Sequence, residues 1–434
     1  MPRALSARGV LYLCFLILIS VLDCLGAKKQ VSLITAWPGS EIYELCGHEA
    51  IRISGPGIDS VWNFGVFDFN EPNFVYRFVK GETDYMVDSY PFAWFLPEYV
   101  KRGSRVEEQV LNLSDAEVEK IHTLLRKATL PPANRYRYNY IKNNCSTKIA
   151  DLLDSVAGGP VVYTDTIRFD NYRDAMRGYH GNYPWYQFGI DVALGSGLEE
   201  TLTPRKELFI PVEFNRHAAS ARLADGRPLV RFTNVLNQGS PQAIEGPTPF
   251  LLSPLWFSIL VAALSLILIA IYWRKNCIPK WWYAIYFGLV GLAGCLVAFL
   301  VCISSHEATS PNLLIFWLNP LQLLIPIFIW YSRNWFGRCI MQAMMWLNVA
   351  AVGMLLVLMP IFDQGQAGQP ALLVLIATDV FLALCWLKIA NRHKAVANSD
   401  YPVSRKVAST QRKRSVKRKN ATGSDKIIIR RTRK

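Results

Sequence analysis

Between residues 250 and 387 the chain runs through long apolar stretches with almost no charge, whereas residues 31–249 carry a charge every few positions. Such segregation calls for two solvents, water for the first part and hydrocarbon for the second. Five stretches are long enough to cross about 30 Å of hydrocarbon, at residues 250–273, 281–303, 313–331, 336–362 and 371–387. The loops between them sort by charge. Arg274, Lys275 and Lys280 follow the first stretch and Arg333 and Arg338 the third, while the other two loops hold only His306, Glu307 and Asp363 as ionisable groups. The excess of Lys and Arg on one side predicts a cytoplasmic C-terminus, with residues 28–249 outside the cytoplasm.

The start of the chain agrees with that topology. Residues 1–27 combine Arg3 and Arg8, an apolar run over 10–22, and Gly26-Ala27 before Lys28, which is the pattern of a signal peptide. Leu25 stands where a smaller residue is preferred, so an uncleaved anchor is the alternative. Asp23 before Cys24 argues against a lipoprotein leader. The expected organisation is therefore a leader (1–27), an extracytoplasmic domain (28–249), a five-helix membrane domain (250–387) and a basic tail (388–434).

The net charge of +14 raises the question of a nucleic-acid partner. Residues 388–434 hold 16 of the 47 basic residues and two of the 33 acidic ones, so the rest of the chain is neutral. The excess belongs to a solvated arm near anionic lipid, through clusters such as Arg412-Lys413-Arg414, and no nucleic acid is expected as a partner of the folded part. The nine cysteines show neither a disulfide framework nor zinc spacing, and only Cys46 and Cys145 fall in the soluble domain. Neither a metal nor a cofactor is expected. Within the apolar stretches Asp379, Asn319, Gln322, Gln342 and Asn348 are costly groups. Hydrogen bonding between helices explains the amides, and the acid is a candidate functional residue.

In the soluble domain, residues 45–54, 60–69 and 74–79 read as strands separated by Gly55-Pro56-Gly57 and Asn70-Glu71-Pro72 turns. Ser114 with Glu117 three residues on predicts a capped helix carrying Val118, Ile121 and Leu125. A second helix is predicted from Cys145 to the Gly158-Gly159 stop, with Tyr136 to Tyr140 as a strand leading into it. The first turn of a helix favours a thiolate, because its free N–H groups and dipole are positive. A nucleophilic thiol also needs a base. His122 reads as a solvated helix residue, His180 as a helix end and His217 as superficial, whereas His48 stands in a strand, a rigid position from which to hold an imidazole against a sulfur. The competing readings of Cys145 are a small buried apolar residue or a disulfide with Cys46.

Leu45-Cys46-Gly47-His48 followed by Asn144-Cys145-Ser146-Thr147 resembles the circularly permuted papain-like cysteine superfamily that includes lecithin:retinol acyltransferase. Residues 61–69, Val-Trp-Asn-Phe-Gly-Val-Phe-Asp-Phe, and 77–85 resemble the extracytoplasmic domain of thiol-type bacterial lipoprotein N-acyltransferases of the Lnb kind, as does the order of domain and helices. The resemblance implies an α+β permuted papain-like domain followed by an all-α bundle of five transmembrane helices in the bacterial inner membrane. It implies Cys145 as nucleophile and His48 as base, with Asn63 preferred over Asp68 as the group orienting the imidazole. The implied donor is a phospholipid, and the implied acceptor is the N-terminal amine of a diacylglyceryl-cysteine lipoprotein. Its rivals are a membrane-anchored cysteine peptidase or amidase acting on cell-wall peptides, and a non-enzymatic assembly factor.

Overall fold

The computed structural model describes residues 28–240 and 246–392. The expected leader and all but the first five residues of the expected tail lie outside the described residues. The chain forms two compact units. One joins the residues up to Phe257 to Leu296–Leu314 and Leu358–Ala371, and the other contains Ser258–Cys295, Ile315–Val357 and the residues from Leu372.

The first unit is built on a seven-stranded antiparallel sheet. Its strands are β1 (Gln30–Ala36), β2 (His48–Gly55), β3 (Ile58–Val66), β4 (Asp84–Pro91), β5 (Val106–Leu111), β6 (Arg135–Arg137) and β7 (Val230–Asn237), in the order β6-β4-β3-β2-β1-β5-β7. Both faces of the central strands are covered, which is why β1 reads as an apolar run and not as an alternation. On one face Val31, Leu33, Ile51 and Ile53 meet Ile149 and Leu153 from the helix Cys145–Val156 and Ile121 from Asp115–Ala128. On the other, Ile34, Ala50 and Val61 meet Phe95 and Tyr99 from the helix Phe92–Arg102.

The two helices expected from Ser114 and from Cys145 are present, each with its capping box. The strand expected over 74–79 is instead the helix α1 (Phe74–Lys80). Asn73 before it and Gly81 after it are both left-handed, with φ of 58° and 77°, and Gly81 and Glu82 donate their N–H groups to the last carbonyls. Phe74 and Phe78 then share a face one helical turn apart, with ring centroids 6.2 Å from one another. The apparent alternation of this aromatic segment conceals that spacing.

Residues 304–312 and 363–369, from the loops of the membrane region, fold as part of the first unit. Gly195 N–H donates to Ala308 O at 2.8 Å, Asn312 Nδ2 to Val192 O at 2.9 Å, and Gln369 Nε2 to Asp191 Oδ2 at 3.1 Å. Behind them the buried Arg173 donates to Asp191 Oδ1 at 2.7 Å, to Glu199 Oε1 at 2.6 Å, and to the carbonyls of Leu194 and Gly195.

The second unit holds most of the length of the apolar spans. Among the described residues five segments are long and apolar enough to cross a membrane: Pro254–Trp273, Lys280–Cys302, Leu313–Tyr331, Trp335–Ile361 and Pro370–Arg392. The third is not one α-helix, as its sequence suggests, but two tight 3₁₀ turns, Leu313–Phe316 and Pro320–Leu323, followed by the helix Leu324–Tyr331. Glycines allow that backbone to be covered by protein: a side chain at Gly294 would meet Asn319 C at 2.5 Å, and one at Gly291 would meet Leu323 N at 2.8 Å. Gln322 Nε2 donates to Asn348 Oδ1 at 3.2 Å, and Asn348 Nδ2 donates to Asp379. Gln322, Asn348 and Asp379 thus form one chain between spans, while Asn319 Nδ2 donates to Phe316 O and Gln342 Nε2 to Asn391 Oδ1.

The Arg173 cluster gives a stability test. Replacing one member of a buried ion group strands the others, at a cost of about 3–5 kcal/mol. Arg173→Met should therefore lower the denaturation midpoint of the detergent-purified protein far more than Arg135→Met, whose ion pair with Glu71 is exposed.

Candidate active site

Asn144 determines where the Cys145 sulfur sits. Its Oδ1 accepts from Thr147 N–H at 3.0 Å, while Thr147 Oγ1 accepts from Asn144 N–H at 2.8 Å. Its Nδ2 donates in turn to Tyr140 O at 2.9 Å and Phe209 O at 2.7 Å. A buried cap held from four directions leaves the helix start little freedom, and Cys145 is the first residue inside it.

His48 opens β2, opposite Ala36 of β1. The turn before it passes through Gly47 at φ +80°, where a Cβ would lie 2.5 Å from Ala36 O. Asn63 pairs with Ala50 across β2 and β3, so it sits diagonally from His48 on the same face of the sheet. Its Oδ1 lies 2.9 Å from His48 Nε2. An amide oxygen only accepts, so Nε2 carries the proton and Nδ1 is the nitrogen left for the thiol. The ring is further held by stacking on Tyr99, at 6.3 Å between centroids and 6° between planes.

Cys145 and His48 lie close enough for each to shift the titration of the other. Burial alone would raise the Cys145 pKa, but the charge of His48 and its hydrogen bond outweigh it, aided by the Glu49 N–H, and the thiol ends below its ordinary value. Burial would likewise lower His48. The hydrogen bond and charge of Cys145, with the Asn63 bond, raise it above its ordinary value. Both shifts favour a thiolate beside an imidazolium.

Cys46 behaves in the opposite way. Burial pushes its thiol up to about 12, and its Sγ lies 3.2 Å from the Tyr140 hydroxyl. Both Cys46 and Cys145 are free thiols, so the disulfide alternative is not the state of this structure. Asp68, the other candidate to orient the imidazole, is exposed and accepts from the backbone and side chain of Asn70.

The remaining histidines lie apart from this cluster, with two corrections to their expected settings. His217 is wholly buried and not superficial, its Nε2 2.6 Å from Glu207 Oε2. His122 is not a fully solvated helix residue but rests edge-on against Trp62 at 6.0 Å. His180 ends a helix as expected, with Nδ1 2.9 Å from Gln187 Oε1. Two contributors were missed. Glu49 adds a backbone N–H that helps lower the Cys145 pKa and buries its carboxyl against Thr35 Oγ1 at 2.8 Å, and Tyr140 lies against Cys46. A strand acid gives no sign in the sequence of pointing into the core. Tyr140 could have been flagged by its place four residues before the Asn-Cys pair.

A family model for the Lnb N-terminal periplasmic domain matches residues 26–178, and one for the Lnb transmembrane domain matches residues 246–394. The chain belongs to the Lnb family. It is accordingly a membrane protein with a periplasmic N-terminal domain, in a family of the lipoprotein N-acyltransferase type. The second Lnb match spans all five apolar segments, and the first includes His48, Asn63 and Cys145. No curated protein and no solved structure matches the chain.

The pair of shifts predicts the pH dependence of thiol labelling. Alkylation of Cys145 by iodoacetamide should follow a pKa below the ordinary 9.0. His48→Ala removes the lowering partner and leaves burial, so the curve should move to higher pH, with labelling at pH 7 falling about tenfold for each unit moved. An unmoved curve, read by mass spectrometry of the Cys145 peptide, would contradict the pairing.

Proposed function

We propose that the protein moves an acyl chain from a phospholipid, through a thioester on Cys145, to the N-terminal amine of diacylglyceryl-cysteine lipoproteins in the bacterial inner membrane. The observation that carries this reading is the buried Cys145 thiol at a helix start, beside the His48 imidazole whose Nε2 is held by Asn63 Oδ1.

The thiolate attacks the carbonyl carbon of a phospholipid ester. Negative charge moves to the carbonyl oxygen, and the N–H groups of Cys145 and Ser146 have no intrahelical acceptor at this position, so they are available to it. As the tetrahedral species collapses, the C–O bond to the glycerol breaks and the His48 imidazolium gives its proton to the leaving oxygen, releasing a monoacyl phospholipid. His48 is then a neutral base. It takes a proton from the acceptor amine as the nitrogen attacks the thioester, and the C–S bond breaks to restore the thiolate beside an imidazolium, with an amide as product. Asn63 keeps the ring in the tautomer and orientation that both halves require.

Incubation of the purified full chain with phospholipid vesicles and a diacylated lipopeptide should yield an acylated, hydroxylamine-labile Cys145 and a triacylated product by mass spectrometry. Cys145→Ala should lower the rate by more than about a thousandfold. The rate should be bell-shaped in pH, failing on the acid side as the thiolate is protonated and on the alkaline side as the imidazolium loses the proton needed by the leaving group. Cleavage of cell-wall peptides without any acyl-Cys145 would instead favour the peptidase or amidase, and retained function in Cys145→Ala the assembly factor.

A further inference from the structure

A patch of large apolar side chains stands exposed around α1, outside the catalytic cluster. Val75 is 72% exposed, Phe69 62%, Tyr76 55% and Phe78 45%. Water is a poor solvent for so contiguous a group, and such patches mark contact with a partner or a membrane.

The surroundings of α1 indicate which. Its C-terminal end is fastened to residues 304–306: Ser304 Oγ donates to Val79 O at 2.9 Å, Ser305 N–H to Lys80 O at 2.8 Å, and His306 Nε2 lies 2.7 Å from Phe78 O. These residues directly follow the apolar span Lys280–Cys302. Tyr76 also meets Phe299, in the last turn of that span, at 6.1 Å between ring centroids. The patch thus adjoins the last turn of a segment apolar enough to cross a membrane. Tyrosine in such a place is suited to a boundary between acyl chains and water.

Inward from the patch the rings continue toward the sulfur. Phe74 lies 5.8 Å from Phe67, Phe67 5.1 Å from Tyr85, and Tyr85 stacks on Tyr138 at 4.1 Å. Tyr138 is close enough to feel the charge of Cys145, which adds to burial in raising its pKa.

We propose that the face formed by Phe69, Val75, Tyr76 and Phe78 enters the outer leaflet of the bilayer, and that phospholipids gathered on it are the acyl donors presented to Cys145 along the aromatic wall. The occupant is phospholipid acyl chain, since every exposed member is apolar or a tyrosine and the face adjoins an apolar span. The membrane contact stands by itself, and the donor role rests on the thioester reading.

Two measurements separate them. The first uses Cys145→Ala protein in vesicles containing a phospholipid with a photoreactive acyl chain, so that no acyl transfer is needed. Lipid adducts should form on peptides covering residues 67–78 as well as on the apolar spans. Adducts confined to the spans, or replaced by cross-links to a second protein, would overturn the proposal. The second compares Phe69→Ser/Val75→Ser/Phe78→Ser protein with the unaltered chain. Acylation of Cys145 from vesicle phospholipid should fall at least tenfold, while acylation from monomeric dihexanoyl phosphatidylglycerol and alkylation by iodoacetamide stay within twofold. Equal losses with both donors would overturn the donor role. If the unaltered chain takes acyl groups from neither donor, the thioester reading fails, and the cross-links still decide whether α1 meets lipid.

Discussion

Burial alone would raise the pKa of the Cys145 sulfur, and one imidazole reverses that shift. Charge separation between the two groups is favourable only if they are held together out of water, because the same low dielectric that penalises a lone thiolate strengthens its attraction to an imidazolium. Each neighbouring feature serves that contact. Asn144 pins the helix start from four directions, Gly47 allows the turn that aims β2, and Asn63 fixes which nitrogen of His48 faces the sulfur. Cys46 shows what happens without such a partner. It is also buried and close to the same cluster, and its thiol is raised instead of lowered.

The seven-stranded sheet and the loops of the membrane region are parts of one compact unit. Residues 304–312 and 363–369 hydrogen-bond to α1, to the segment near Gly195 and to Asp191, with Arg173 buried behind them.

Within the apolar spans, polar side chains bond to one another and to backbone. Asp379, Asn348 and Gln322 make a single chain, and the tyrosines of the second span donate to carbonyls of the fifth, Tyr283 to Leu382 O and Tyr286 to Leu375 O, each at 2.7 Å. The irregular third span is tolerated because its neighbours cover it, with glycines at the closest approaches. These contacts place Gln322 and Asn348 in hydrogen bonds between spans.

The sequence by itself determined the division between aqueous and apolar parts, the five spans, and the two capped helices, because each is written in local spacing: runs of apolar residues, capping boxes, stop glycines. It also offered Cys145 and His48 as candidates through short motifs, with Asn63 preferred over Asp68 as the group orienting the imidazole. What it left open was decided by contacts between residues far apart in the chain. The aromatic segment 74–79 became a helix because left-handed residues at both ends and a turn-spaced pair of rings suited it to that form. His217 and Glu49 went inside because their elements pack against the sheet on faces that no local pattern identifies. Whether Cys145 would be an inert buried thiol, one half of a disulfide or an ionised sulfur depended on a strand nearly a hundred residues earlier in the chain. Only tertiary structure brings that strand's imidazole to the helix start, and charge stabilisation acts through distance in space.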